Sequence, residues 1–242
     1  MSNALQALLL FLTLCLVTAL PLSGYSAEST QGPANNILKL QKKYQQLHSL
    51  EFDFSQSTST NSRVKQGSGK AVFYRPTTQP GASAPTGKGI MRWDYTEPMV
   101  QTIINDGKEF SIYTPHDKQL IISPAGEMES DITYAIFTGT TSLLEEFVAS
   151  DPDRQFFLNE PPSGYISVLL TPRQPHPQVK RIQLWLSGDQ TIHRLLMEDH
   201  FGSLTELTFS TVRFNTLPTG NRQRVESLLK LDLAPGTETI RQ

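Results

Sequence analysis

The chain has 242 residues, 38% of them hydrophobic, with a formal net charge of −2. That is enough chain for one domain or two small ones, and the composition is that of a folded globular protein. The near-neutral balance carries no basic stripe of the kind that nucleic-acid binders show, since the longest basic cluster, Lys39 to Lys43, fits the wet side of a helix.

The first 27 residues form a separate object. "ALQALLLFLTLCLVTALPL" lacks Asp, Glu, Lys and Arg, and small residues follow it around Ser23, Gly24, Ser26 and Ala27. This pattern reads as a secretory signal peptide cleaved after Ser26 or Ala27. An uncleaved membrane anchor is the alternative, because the run approaches spanning length. The only cysteine, Cys15, lies inside the run behind Leu14, which is too large for the residue preceding a lipidated cysteine. A processed chain, 28–242, is then a single domain without cysteine. It has no disulfide, thiol nucleophile or Cys-ligated zinc, and export without disulfides suits a bacterial periplasm.

Ile37, Leu40, Tyr44 and Leu47 recur at helical spacing, with Lys42, Lys43 and Gln46 between them. The spacing predicts an amphipathic helix with Asn35 or Asn36 as N-cap. Leu50, Phe52 and Phe54 then alternate with polar residues as in a strand. Beyond them the chain reads mostly as short strands: "GKAVFYRP", "IMRWDYTEP", two strands around the hairpin signal Asn105-Asp106-Gly107, "KQLIIS", "YISVLLTP", "RIQLWLS", "IHRLLMED", "LTELTFSTVRFN" and "LLKLDLAP". One stretch, "SDITYAIFTGTTSLLEEFVASDP", reads as one or two short helices. Ser130 or Asp131 is placed to cap the first, Thr141 or Ser142 the second, with Glu145 completing a capping box on Ser142. Residues 77–90, rich in Gly, Pro, Ser and Thr, read as a flexible surface loop between strands. Many short strands at regular spacing suggest a sheet curled into a barrel or sandwich.

No catalytic constellation emerges. There is neither a Gly-x-Ser-x-Gly elbow nor a P-loop. His193, Glu198, Asp199 and His200 are close in sequence, but at a spacing that fits no usual metal ligand set. Glu145 and Glu146 read as a solvated helix face. What is left is shape and apolar surface. In "MRWDYTEP", Met91, Trp93 and Tyr95 share one face of a strand. With Phe73, Ile103, Phe110 and Ile112 they could wall a cavity between sheet and helices, or simply fill a core.

The ordered set Trp93, Pro98, Asp106-Gly107, Tyr113, Pro115 and Gln119 resembles the periplasmic outer-membrane lipoprotein carrier family, LolA. So do the upstream Leu50, Phe54 and Gln56, then Gly67, Gly69 and Arg75-Pro76. Downstream, Leu170 to Pro172, "TIH" at 191–193 and "LDLAPGTETI" continue the match along nearly the whole processed chain. The resemblance implies a mainly β, α+β fold: an incomplete, curved antiparallel β-barrel closed by a helical lid around an apolar cavity. It implies a periplasmic monomer without cofactor, metal or covalent chemistry. Such a protein takes acylated lipoproteins from an inner-membrane ABC transporter, shields their acyl chains, and passes them to an outer-membrane acceptor. By position, Arg75 matches the arginine that hydrogen-bonds lid carbonyls and holds the empty state closed. Met91 matches a bulky apolar residue on the cavity rim, and Trp93 a wall residue. The sequence departs from the family between Pro76 and Met91, where a short turn is usual. A second reading keeps the architecture and changes the cargo, to a glycolipid carrier or an envelope-lipid sensor. A third is an enzyme acting on lipid or glycan.

Overall fold

A computed structural model describes residues 32–60, 63–75, 89–124, 132–139, 142–156 and 164–242. The expected signal peptide, most of the 77–90 loop, and the candidate caps Ser130, Asp131 and Thr141 lie outside the described residues. Those residues belong to one compact unit, 31–242.

The order is α1 (Pro33–Gln45), β1 (Ser49–Thr60), β2 (Arg63–Tyr74), β3 (Ile90–Glu97), β4 (Gln101–Asn105), β5 (Glu109–Thr114), β6 (Gln119–Pro124), α2 (Ile132–Thr138), α3 (Leu143–Glu146), β7 (Phe147–Ser150), a 3-10 turn at Arg154–Phe156, β8 (Ile166–Pro172), β9 (Arg181–Leu186), β10 (Ile192–Glu198), β11 (Leu204–Phe214), α4 (Arg222–Leu229) and β12 (Glu238–Arg241). Among the described residues these strands form one sheet in the order β12-β6-β5-β4-β3-β2-β1-β11-β10-β9-β8-β7. Every pairing is antiparallel except β12 on β6. The sheet is curved and open between β12 and β7, an incomplete barrel.

Alternation sorts the side chains. Phe52, Phe54, Trp93, Leu170, Ile182, Leu184, Leu195, Leu207 and Phe209 fall on the concave face and, with α1, α2 and α3, make the main core. Two smaller clusters sit on the convex side. Tyr74, Ile90 and Leu217 are covered by Leu228 of α4. Phe156, Trp185 and Leu196 make the other, over which the Arg181 and Arg194 guanidiniums stack on aromatic rings.

Gly69 permits the closest strand contact. A β-carbon there would come within 2.0 Å of the Asp94 carbonyl oxygen, at the register shift between β2 and β3. Its empty side also lets the rings of Phe54 and Tyr95, its partners on either side, approach to 4.9 Å between centroids.

Three local expectations are corrected. The N-cap of α1 is Gly32, with Pro33 following it, and not Asn35 or Asn36. Proline's fixed φ and missing N–H suit the first helical turn, so the helix starts earlier and Asn36 is buried inside it. "FVAS" is the edge strand β7 and not helix, because pairing with β8 satisfies its backbone. "LLKLDLAP" is not a strand. Leu228 and Leu229 end α4, capped by Asn221, whose side chain accepts from the Arg224 N–H, and β12 begins only at Glu238. Ser142 does precede α3, but without a side-chain capping bond.

The helix α1 is fastened at its C-terminal end. Lys43 Nζ donates to the Asp189 carbonyl at 2.9 Å, the Asp189 carboxylate at 3.1 Å and Thr191 Oγ1 at 2.8 Å, and lies 4.1 Å from the Phe214 ring centroid. Lys43 is therefore a bonded residue, while Lys39 and Lys42 are exposed. The Ile192 N–H donates to Tyr44 Oη at 3.1 Å, and burial pushes that phenol's pKa up. The Asp189 carboxyl is held well below the usual carboxylate range, first by the Ser187 hydroxyl and then by Thr191 and Lys43. Its folded pKa lies below the ordinary value of 3.8, so its contribution is complete above that pH and is lost as pH falls through the folded value. Asp189→Asn is expected to lower Tm by a few degrees at neutral pH, about 1 kcal/mol for so exposed a carboxylate. In thermal melts across pH, the gap to the parent protein should close only under strongly acidic conditions.

Candidate functional site

The concave face is divided between a filled region and a cleft. Phe137 of α2 fills the first. Its ring centroid lies 5.1 Å from Phe52, 5.3 Å from Phe73, 5.1 Å from Phe209 and 6.1 Å from Tyr44. All seven residues of α2 are buried. A seven-residue helix is too short to be stable alone, so this packing is what holds it.

Beside that nest lies a cleft of about 280 Å3. Met91, Trp93 and Tyr95 of β3 and Ile103 of β4 form one side, and Met197 of β10 and Leu207 of β11 the other. Gln56, Thr133 and Thr205 supply its polar atoms, and Tyr95 Oη donates to Gln56 Oε1 at 2.9 Å. The Trp93 ring meets Phe54 edge to face at 4.7 Å and Phe52 at 5.6 Å, so it is both wall and core. Drug-sized ligands occupy about 300–1,000 Å3. This cleft falls just short of that range.

Four of the residues expected at a cavity, Met91, Trp93, Tyr95 and Ile103, meet here. Met91 is on the floor and not the rim: it is 2% exposed, opposite Phe73 and Asn105 in the sheet. Phe73 lies deeper, under Phe137 and Tyr134. Phe110 and Ile112 share the face, with Ile112 opposite Ile103, but both are outside the cleft walls. Met197, Leu207 and Phe137 were not singled out by sequence reasoning. Alternation in "IHRLLMED" and "LTELTF" carries the signal that these strands have an apolar face, but not which distant strand they meet.

Arg75 follows β2 and reaches the end of α1. Its Nη1 donates to the Gln45 carbonyl at 3.0 Å and Nη2 to the Tyr44 carbonyl at 3.4 Å. Those are helix C-terminal carbonyls, which carry partial negative charge; the Tyr44 carbonyl also accepts the Leu47 N–H at 3.3 Å. Gly139, which ends α2 with φ +60°, lies against the Gln45 backbone: a β-carbon there would be 3.1 Å from the Gln45 nitrogen. The ends of α1 and α2 therefore meet where Arg75 is bonded. Among the described residues no group of three or more His, Cys, Asp or Glu is placed to hold a metal ion, and no helix is long and apolar enough to cross a membrane.

The family model "Outer membrane lipoprotein carrier protein LolA" matches residues 45–221. An outer-membrane lipoprotein carrier protein of Dechloromonas aromatica is 26% identical over 168 residues, covering 69% of this chain and 71% of that one. The protein of the same description from Methylococcus capsulatus is 23% identical over 192 residues, covering 78% and 81%. The crystal structure of an uncharacterized conserved protein from Thermus thermophilus superposes with a TM-score of 0.50 at 13% identity, covering 86% of this chain and 99% of that one. That likeness concerns the fold alone.

Phe137→Ala is expected to cost about 3–5 kcal/mol if the nest stays open. It should also raise the binding of an environment-sensitive apolar dye, because the new void joins the cleft. Urea unfolding and dye titration check the two together; a lost Tm with unchanged dye binding would mean that the space collapses.

Proposed function

Because the chain belongs to the outer-membrane lipoprotein carrier family, we propose that it escorts lipoproteins across the periplasm, from an inner-membrane ABC transporter to an outer-membrane acceptor. The observation that supports this most is the cleft: an apolar slot on the concave face, next to a core whose central plug belongs to a short, separate helix. Each acyl chain has roughly a dozen methylenes, and burial stabilises each by about 0.8 kcal/mol, so an unshielded chain costs on the order of 10 kcal/mol in water. A carrier reduces that cost with non-covalent contacts alone and needs no reacting group.

On this reading, acyl chains occupy the cleft and displace Phe137 from its ring nest. The closed form refills its own cavity with an aromatic side chain, so cargo competes with an internal ligand. That keeps the net grip below the gross burial energy and makes release possible. Met91, Trp93, Tyr95, Ile103, Met197 and Leu207 are the proposed acyl contacts. Methionine at two of these positions is flexible and polarizable, which suits chains of varied shape.

Arg75 then acts on the equilibrium between closed and open forms. Its two hydrogen bonds hold the end of α1, against which α2 ends, and they belong to the closed form. Removing them destabilises that form by about 1–2 kcal/mol. Only a group that interacts differently with the two states can shift their balance. Loss of the bonds therefore favours the loaded form.

Two sets of variants test the proposal with a fluorescent triacylated lipopeptide. Arg75→Leu is expected to keep uptake and to slow handover to an outer-membrane acceptor about tenfold, the ratio that about 1.4 kcal/mol, the middle of that energy range, produces. Unchanged handover would remove Arg75 from the mechanism. Ile103→Glu, at a half-buried wall position, is expected to abolish uptake with little loss of Tm. Met91→Glu, on the floor, should lose both uptake and stability. If Ile103→Glu still binds lipopeptide at parental affinity, the cleft is not the acyl site.

A further inference from the structure

Among the described residues seven large apolar side chains are exposed: Leu38, Val64, Met99, Val100, Val148, Phe201 and Leu233. Four of them, Val64, Met99, Val100 and Phe201, lie on turns or strand ends at one end of the sheet. The register places them. Val64 of β2 is opposite Ser59, which is opposite Leu204 of β11. Phe201 is in the turn that joins β10 to β11, directly beyond the Met197–Thr205 pair of the cleft. Met99 and Val100 are in the turn between β3 and β4, just beyond Tyr95 and Ile103 of the opposite cleft wall. The exposed side chains therefore stand on both sides of the cleft, at the same end.

Phe201 is 91% exposed on a turn that is built to hold it. The Asp199 carboxylate accepts the N–H groups of Phe201 and Ser203, both at 2.8 Å. The Asp199 N–H donates to the Ser203 carbonyl at 3.0 Å, and Gly202 takes a φ of +79°. His200 Nε2 lies 2.6 Å from the His176 carbonyl, tying the turn to the neighbouring β8–β9 connection. A phenyl ring presented to water on a fixed turn has no stabilising role in the isolated chain.

We infer that these turns seat the mouth of the cleft on a lipid bilayer interface. The occupant is argued from form and charge. The apolar side chains stand as prongs on three separate segments: the start of β2, the β3–β4 turn and the β10–β11 turn. Separate prongs sink individually into a headgroup layer, where aromatic and aliphatic side chains with basic neighbours reside. Exposed Arg63 and Lys65 flank Val64, which matches anionic headgroups there. Glu97 lies beside the Met99 turn, so the basic side of the rim is the β1–β2 end. The inference rests on the carrier reading: a mouth pressed to a bilayer lets acyl chains pass without crossing water.

Flotation with vesicles of equal parts phosphatidylethanolamine and phosphatidylglycerol tests it. All proteins compared begin at residue 28 and differ only at the substituted positions, so residues 1–27 contribute nothing to the vesicle-bound fraction. The double variant Phe201→Ser/Val100→Ser is expected to reduce the vesicle-bound fraction about tenfold at unchanged Tm, since two apolar prongs no longer enter the headgroup layer. Arg63→Ser/Lys65→Ser should reduce it a few-fold on these vesicles and not on neutral phosphatidylcholine. Phe201→Trp should show blue-shifted emission that lipids brominated on their acyl chains quench. Binding unaffected by the serine substitutions, or indole emission from the Phe201→Trp variant that brominated lipid leaves unchanged, overturns the proposal. Loss of handover to a protein acceptor without any loss of vesicle binding would instead make the rim a protein dock, and would overturn it too. Lipopeptide uptake, measured without membranes, is read separately: its failure removes the carrier reading and not the vesicle result.

Discussion

Phe137 stands among four aromatic rings, and the rest of the concave side depends on that contact. The helix that carries it has seven residues, fewer than two full turns, and could not persist without burial. The sheet beneath it is open between its two edge strands, and among the described residues the hollow is closed by side chains of the helices laid over it. One phenyl ring therefore does two things. It holds α2 down and occupies space that would otherwise be empty. On the proposed reading, cargo must offer the hollow at least what Phe137 offers it.

The helices above the hollow are held by different means. The C-terminal end of α1 is tied to the sheet by Lys43, Tyr44 and the Arg75 guanidinium, through polar contacts to separate segments. The helix α2 is entirely buried and packs through apolar and aromatic surface. Directional polar bonds fail abruptly when geometry changes, whereas an apolar face can exchange one greasy partner for another. An acyl chain is such a partner. The proposed division follows from the chemistry of their contacts: α2 exchanges its apolar partner, while the end of α1 is released only when the Arg75 bonds break.

The two faces of the sheet differ in the same sense. The convex side is locked by charged groups on aromatic rings. Arg181 lies over Phe156 while bridging Asp153 and Glu198, and Arg194 lies over Trp185 while pairing with Glu206 at 2.6 Å. Arg92 reaches the Leu228 and Lys230 carbonyls and holds the end of α4 against β3. Rigidity is thus concentrated on the outside of the curve, and the adaptable apolar surface inside it.

Most of the elements were legible in the sequence, because alternation and turn residues are local signals. The strands from "GKAVFYRP" to "LTELTFSTVRFN", the hairpin at Asn105-Asp106-Gly107 and the apolar face of "MRWDYTEP" all stand where periodicity puts them. Where reading failed, a longer-range partner had decided the matter: "FVAS" became a strand because β8 was there to pair with it, and "LLKLDLAP" split because Leu228 found Tyr74 and Ile90 on the convex face. Local pattern alone specifies which residues are apolar, which alternate, and that a mainly β chain with a few helices results. That Met91 is floor, that Met197 and Leu207 complete the wall facing Tyr95 and Ile103, and that Phe137 packs into the aromatic nest beside them follow from long-range packing. The reason is physical: a strand's period specifies which side chains share a face, but the sheet's curvature and the seating of α2 specify which faces meet, and those depend on contacts between residues on the order of a hundred positions apart.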